Sequence, residues 1–160
     1  MTTAYLDTCI VSGLVKNDIP RDELRVLCNL LQQYERGGVK FVCSDVVQSE
    51  LDRIPLDYKG PHIEKLKLFR SMPRVSVGGL TRPSLMGTPS ANPRHLLWRR
   101  LTRILKERDA QHVFVASGNR IKYLITVDRR SMLSHADEVL QASGVQLVRP
   151  SEFLQVIAGT

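Results

Sequence analysis

Tyr5-Leu6-Asp7-Thr8 near the start of the chain and Tyr123-Leu124-Ile125-Thr126-Val127-Asp128 near its end each close a short apolar run on an acid. Unbroken apolar runs of this length read as strands buried on both faces. An acid at the carboxyl edge of such a strand lies where an open α/β sheet gathers its chemistry. Working outward from the first run, residues 4–7 read as a strand and Ile10 to Val15 as a short helix. Leu24, Leu27, Leu31 and Tyr34 recur at three- and four-residue spacing, which predicts a helix preceded by Pro20 and Asp22 and stopped by Gly37-Gly38. Val39 to Cys43 reads as a strand, and Ser44 or Asp45 as the cap of a helix carrying Glu50. Pro61 starts a further helical segment through Leu66, Leu68 and Phe69.

Around the second run, residues 94–108 read as one basic helix with Leu97, Leu101, Ile104 and Leu105 on one side. Asp109 opens the next helix, which Gly118-Asn119 ends; a helix from about Met132 to Ala142, a strand Val145–Val148 and a short final helix after Pro150-Ser151 complete the chain. Between Pro73 and Pro93 only Val75 to Val77 reads as a strand, and the rest as a long loop, either a functional flap or a tolerated insertion. The alternation of strand and helix predicts a three-layer α/β/α sandwich around a mostly parallel, Rossmann-like sheet, in a single domain over 1–160.

Composition narrows the function classes. Hydrophobic content of 42% and charged content of 24% fit a soluble globular chain. No run reaches the roughly 18 apolar residues of a membrane span, and the first residues carry neither part of a secretory signal. The three cysteines, Cys9, Cys28 and Cys43, have no ligand-like spacing and read as reduced thiols, which predicts a cytoplasmic protein. Cys9 reads as a small buried side chain rather than a catalytic thiol. The net charge of +7 favours polyanionic partners, the more so if several acids are withdrawn into one pocket. A basic exterior around an acidic cleft suits an enzyme that grips a phosphate backbone and cuts it with metal ions.

Four acids carry that expectation: Asp7, Glu50, Asp109 and Asp128. Glu50 shares a helix face with Val46 and Ile54, a row expected to meet the sheet, and Asp109 shares one with Val113 and Ala116. The plainer readings are a solvated Glu50, a helix cap at Asp109, and turn caps at Asp7 and Asp128. Two carboxylates about 4 Å apart repel by roughly 4 kcal/mol at an effective dielectric of about 20. Four together either take up protons or recruit a hard divalent cation, and oxygen-only ligation favours Mg2+ or Mn2+ over zinc. Such an ion activates a water for attack on phosphorus, leaving a 5′-phosphate product. Thr8 and Thr126 flank the strand-end acids as hydrogen-bond donors to a carboxylate. His62, His95, His112 and His135 form no metal-spacing motif; His112, three residues after Asp109, is in reach of the acidic site, the plainer reading being a helix-surface or packing residue. Relief of repulsion predicts that Glu50→Gln raises metal-free stability.

These pieces together resemble the PIN-domain nucleases, in particular the toxin ribonucleases of bacterial toxin–antitoxin pairs. The resemblance rests on Tyr5-Leu6-Asp7-Thr8-Cys9-Ile10-Val11, Ser44-Asp45-Val46-Val47-Gln48-Ser49-Glu50-Leu51, Asp109-Ala110-Gln111-His112 through Val115-Ala116, Leu124-Ile125-Thr126-Val127-Asp128 and the tail Gly144 to Pro150. It implies that Asp7, Glu50, Asp109 and Asp128 bind metal, with Thr8 and Thr126 in support. It also implies cleavage of RNA with magnesium or manganese, homodimers and, for a toxin, a small cognate antitoxin. Two departures stand out. The 73–93 loop is longer than is usual in that family. After Asp128 the chain reads Arg129-Arg130-Ser131-Met132, where a further acid and an aromatic are common, which bears on how firmly a second metal is held.

Arg94, Arg99, Arg100, Arg103 and Lys106 are the candidate grip on RNA phosphates, the plainer reading being a solvated helix face. Trp98 reads equally as core, dimer anchor or base-stacking platform. The main rival is a catalytically inactive nucleic-acid-binding or scaffolding domain of the same fold. A phosphotransferase built on Asp7-Thr8 lacks a second aspartate at residue 9, and no Gly-x-Gly-x-x-Gly follows the first strand.

Overall fold

The strands pair in the order β3-β2-β1-β4-β5, all parallel, in a computed structural model that describes residues 1–55, 63–76 and 93–159. They are β1 (Thr3–Leu6), β2 (Lys40–Ser44), β3 (Arg74–Val75), β4 (Tyr123–Ile125) and β5 (Gln146–Val148). The helices are α1 (Thr8–Lys16), α2 (Arg21–Glu35), α3 (Asp45–Asp52), α4 (Ile63–Ser71), α5 (Pro93–Ile104), α6 (Glu107–Gly118), α7 (Ala136–Ser143) and α8 (Pro150–Ala158), with a 3-10 turn at Leu133–His135. The result is the three-layer α/β/α sandwich expected from the alternation of elements. It is a Rossmann-like architecture, consistent with a PIN-like fold without being specific to one.

Register decides which side chains face which layer. Ala4 lies opposite Phe41 and Tyr123, while Tyr5 lies opposite Val42 and Leu124. Successive strand residues point to opposite faces, so the two sets look in opposite directions. On the first face Phe153 of α8 meets Phe41 and Tyr123 with ring centroids 6.1 and 5.7 Å apart, and Tyr34 of α2 stacks on Phe41. On the second, Tyr5 meets His112 of α6. Tyr5, Phe41 and Phe153 are wholly buried, and each such side chain contributes about 1.5–3 kcal/mol relative to exposure.

One buried acid belongs to this scaffold. Glu23 of α2 accepts hydrogen bonds from the Ser151 backbone N–H (2.9 Å) and hydroxyl (2.7 Å) at the start of α8. A carboxylate at a helix N-terminus satisfies free N–H groups and complements the helix dipole. Glu152 adds a capping box by accepting from the Arg149 backbone N–H at 2.8 Å.

Several boundaries differ from those the sequence suggests. The strand expected to run to Val127 stops at Ile125; Thr126 N–H still donates to the Val148 carbonyl at 3.0 Å, and side chains take over the two donors after it. Val127 N–H donates to Cys9 Sγ (3.3 Å) and Asp128 N–H to Thr126 Oγ1 (3.1 Å). The basic helix of 94–108 is two helices: α5 ends at Ile104, and an extended Lys106 caps α6. Arg108 therefore belongs to α6, and Asp109 stands in its first turn rather than opening it. The expected helix at 132–142 is the 3-10 turn followed by α7, which Gly144 closes at φ 72. The strand around Val75 is Arg74–Val75. Pro61 and most of the 73–93 loop lie outside the described residues. Among the described residues no helix is long and apolar enough to cross a membrane.

Candidate functional site at the acidic sheet edge

β1 and β4 are neighbours in register, Leu6 beside Ile125, so the residues that follow them meet at the carboxyl edge of the sheet. Asp7 is buried there, 4% exposed. Its Oδ2 accepts from the Thr126 hydroxyl and the Cys9 thiol, each at 2.8 Å, and its Oδ1 lies 3.5 Å from His112 Nε2. Burial and then the charge of Asp7 push the Cys9 thiol well above its ordinary pKa, so it stays a donor; Cys9 is part-buried rather than the fully buried side chain expected.

Glu50 reaches the same edge from α3. It stands beside the core row of that helix rather than in it, since Val47 and Leu51 are the buried residues and Glu50 is part-exposed. Its carboxylate accepts from the Thr8 hydroxyl and lies 3.3 Å from His112 Nε2. Burial opposes its charge, but the hydrogen bonds from His112 and Thr8 outweigh burial and lower its pKa. Glu50 thus has hydrogen-bond partners that the repulsion argument for Glu50→Gln left out, and they favour its ionised form.

His112 is the residue that sequence reasoning ranked too low, as in reach of the site but more plainly a surface or packing group. It is 2% exposed, a buried group rather than one on a helix surface. Nδ1 lies 2.7 Å from the Tyr5 hydroxyl, itself 2.6 Å from Ser44 Oγ, while Nε2 faces Glu50, Asp7 and Thr8. Burial disfavours its charge, yet the hydrogen bond to Glu50 and the charges of Asp7, Glu50 and Asp109 raise its pKa. As an imidazolium it donates from both ring nitrogens, one to a hydroxyl and one to a carboxylate. The signal available in the sequence was its i,i+3 relation to Asp109 together with a tyrosine in a buried strand, whose hydroxyl needs a partner.

Asp109 projects from α6 and is partly buried. It makes no side-chain cap, so capping does not account for it. Burial and then the charges of Asp7 and Asp128 push its carboxyl up to about 6 from 3.8. Asp128 sits in the turn after β4, where it accepts from the Ser131 backbone N–H (2.9 Å) and hydroxyl (2.6 Å). Burial opposes these bonds and one from the Arg130 backbone, but they prevail and lower its pKa. Each threonine serves an acid of another segment, Thr8 bonding Glu50 and Thr126 bonding Asp7.

The basic residues separate into groups. Arg99, Arg100 and Arg103 are exposed on α5. Arg94 packs its guanidinium on the Phe114 ring, 3.8 Å from the centroid, and donates to the Phe114 carbonyl. Trp98 meets the same ring edge-on at 5.5 Å, which makes it a packing residue between α5 and α6. Lys106 is close enough to Asp109 and Asp128, and Arg108 to Glu50, to favour the ionised carboxylates.

By chemistry the four acids suit a hard divalent cation such as Mg2+ or Mn2+. By placement they do not: among the described residues no group of three His, Cys, Asp or Glu side chains stands where one ion would be held. His112 lies within 3.5 Å of both Asp7 and Glu50, Thr126 and Cys9 hold Asp7, and Ser131 holds Asp128. In comparisons with known proteins, no family model matches this chain and no curated protein matches its sequence.

Proposed function

We propose that this chain handles nucleic acid at the carboxyl edge of its sheet. The observation that carries the reading is an acidic floor rimmed by cations, with Asp109 in the field of Asp7 and Asp128, Lys106 acting on Asp109 and Asp128, and Arg108 acting on Glu50. A phosphodiester backbone is drawn by the rim, while the floor fixes where it can lie.

The reading has two forms. In the first, the chain is a PIN-like domain that binds or scaffolds nucleic acid without cutting it. The missing three-donor group among the described residues favours this form. In the second, it is an endoribonuclease in which Mg2+ or Mn2+ held by Asp7, Glu50, Asp109 and Asp128 would supply the Lewis acid for phosphodiester hydrolysis to 5′-phosphate products. This form draws on Asp109, whose pKa of about 6 marks a place where negative charge is under-compensated. RNA is the ligand in either form, and a homodimer with a small antitoxin belongs to the toxin branch of the second.

A mixed RNA pool incubated with manganese, magnesium or chelator, using wild type and Asp7→Asn, separates the two. Binding without cutting leaves RNA intact in every arm, with a gel shift that Asp7→Asn does not abolish. The nuclease form gives 5′-phosphorylated fragments with metal and none with chelator or Asp7→Asn. Neither a shift nor fragments in any arm would refute both forms.

A further inference from the structure

We propose that the groove between α3 and α6 is a backbone subsite for single-stranded RNA, with Arg53 and Arg108 gripping its phosphates. The inference rests on the nucleic-acid reading above but not on whether the RNA is cut. Val46, Ser49 and Glu50 on one face of α3, with Arg53 at its C-cap, line one wall, and Glu107, Arg108 and Gln111 from the start of α6 line the other. The groove encloses about 330 Å³. That is the small end of the ~300–1,000 Å³ range of ligand pockets, enough for one nucleotide unit and too little for a duplex.

Both guanidiniums are exposed, and neither forms an ion pair among the described residues. By contrast Arg74 is paired with Asp45 and Arg149 with Glu152. A planar guanidinium fork matches a phosphate bidentately and carries its charge at all working pH values. The Gln111 amide likewise has no side-chain partner among the described residues. Ser49 is already committed, its hydroxyl donating to the Val46 carbonyl at 3.0 Å.

The two acids in the groove select the occupant. An acidic peptide would set its carboxylates against Glu50 and Glu107. A ribose backbone instead pairs each phosphate with hydroxyl donors, and the 2′-hydroxyl is a donor that a carboxylate accepts. Glu50 uses Oε2 for Thr8 and His112 and keeps Oε1 outside those bonds. The mixed lining therefore fits alternating phosphate and ribose better than a run of carboxylates.

The test is fluorescence anisotropy of a labelled, mixed-sequence single-stranded RNA in chelator, with wild type, an Arg53→Gln/Arg108→Gln variant and an equally discharged Arg25→Gln/Arg36→Gln control on exposed α2 positions. The groove variant is expected to lose about tenfold or more in affinity at ~0.1 M salt. Its log–log salt slope should flatten by about 1.4, two contacts at roughly 0.7 each, while the control changes less than about threefold. Equal losses in both variants would remove the groove and leave the nucleic-acid reading standing. Wild type that does not bind RNA would remove both. Displacement by polyglutamate as readily as by unlabelled RNA would assign the groove to acidic peptide and overturn the proposal.

Discussion

Asp109 carries a charge that this fold disfavours, and Asp109→Asn isolates the cost. The carboxyl is raised from 3.8 to about 6, first by burial and then by Asp7 and Asp128, and its side chain accepts no hydrogen bond among the described residues. At about 1.4 kcal/mol per unit the shift corresponds to roughly 3 kcal/mol, which partial solvent screening reduces to about 1–2 kcal/mol. Asparagine keeps the shape and removes the charge. An acid with a raised folded-state pKa costs nothing while protonated, starts to destabilise as pH climbs past its unfolded value, and costs most above its folded value. The variant should therefore match wild type at about pH 3.5 and exceed it by about 1–2 kcal/mol at about pH 7.5. For a chain of this length that is a rise of about 2–8 °C in Tm. Urea unfolding in chelator at the two pH values reads the effect as a shift in midpoint at constant slope. A gain of equal size at both pH values, or none at neutral pH, would show that the carboxyl does not bear this burden.

The remaining predictions concern carboxylates that the fold rewards. Glu50→Gln should lower stability at neutral pH by about 1–2 kcal/mol, because it weakens the contacts from His112 and Thr8. Since the folded-state pKa of Glu50 is lowered, that deficit should fade as acid protonates the wild-type side chain below its ordinary 4.5, which chemical unfolding across pH measures. Glu23→Gln, which turns an amide donor toward the Ser151 donors, should cost about 1–3 kcal/mol in a thermal melt and loosen the start of α8 in hydrogen exchange.

What the sequence made legible was local. The strand-end acids were readable because Tyr5-Leu6 and Tyr123-Leu124-Ile125 are unbroken apolar runs, and parallel pairing puts the following residues together. The core row of α3 was not readable: Val46, Glu50 and Ile54 present themselves as the sheet-facing row, whereas Val47 and Leu51 are the buried residues, and a helix of eight residues offers too few repeats to choose between the two rows. The role of His112 was not legible, because Tyr5 and Glu50 lie 107 and 62 residues away in the chain. Arg108 was assigned to the wrong helix because Leu105 continues the apolar stripe across the break at Lys106. Periodicity registers which residues share a face; it carries no information on a backbone that turns between two apolar residues.

Four acids drawn toward one sheet edge call for positive charge among them, and the structure supplies it unevenly. His112 stands between Asp7 and Glu50 and meets the need from within the fold, which is why Glu50 gains rather than loses by being ionised. Asp128 is held by Ser131 and the neighbouring backbone. Asp109 is pushed up by burial and by the charges of Asp7 and Asp128, which His112 and Lys106 do not offset. The uncompensated negative charge is therefore local to Asp109, whereas Glu50 belongs to a hydrogen-bond network with Thr8 and His112 beside the arginine-lined groove. Under the proposed nucleic-acid reading, phosphate contact falls to the arginine-lined groove, so substitution at Arg108 should weaken RNA binding while Asp109→Asn, adjacent in sequence, should change stability and leave binding in place.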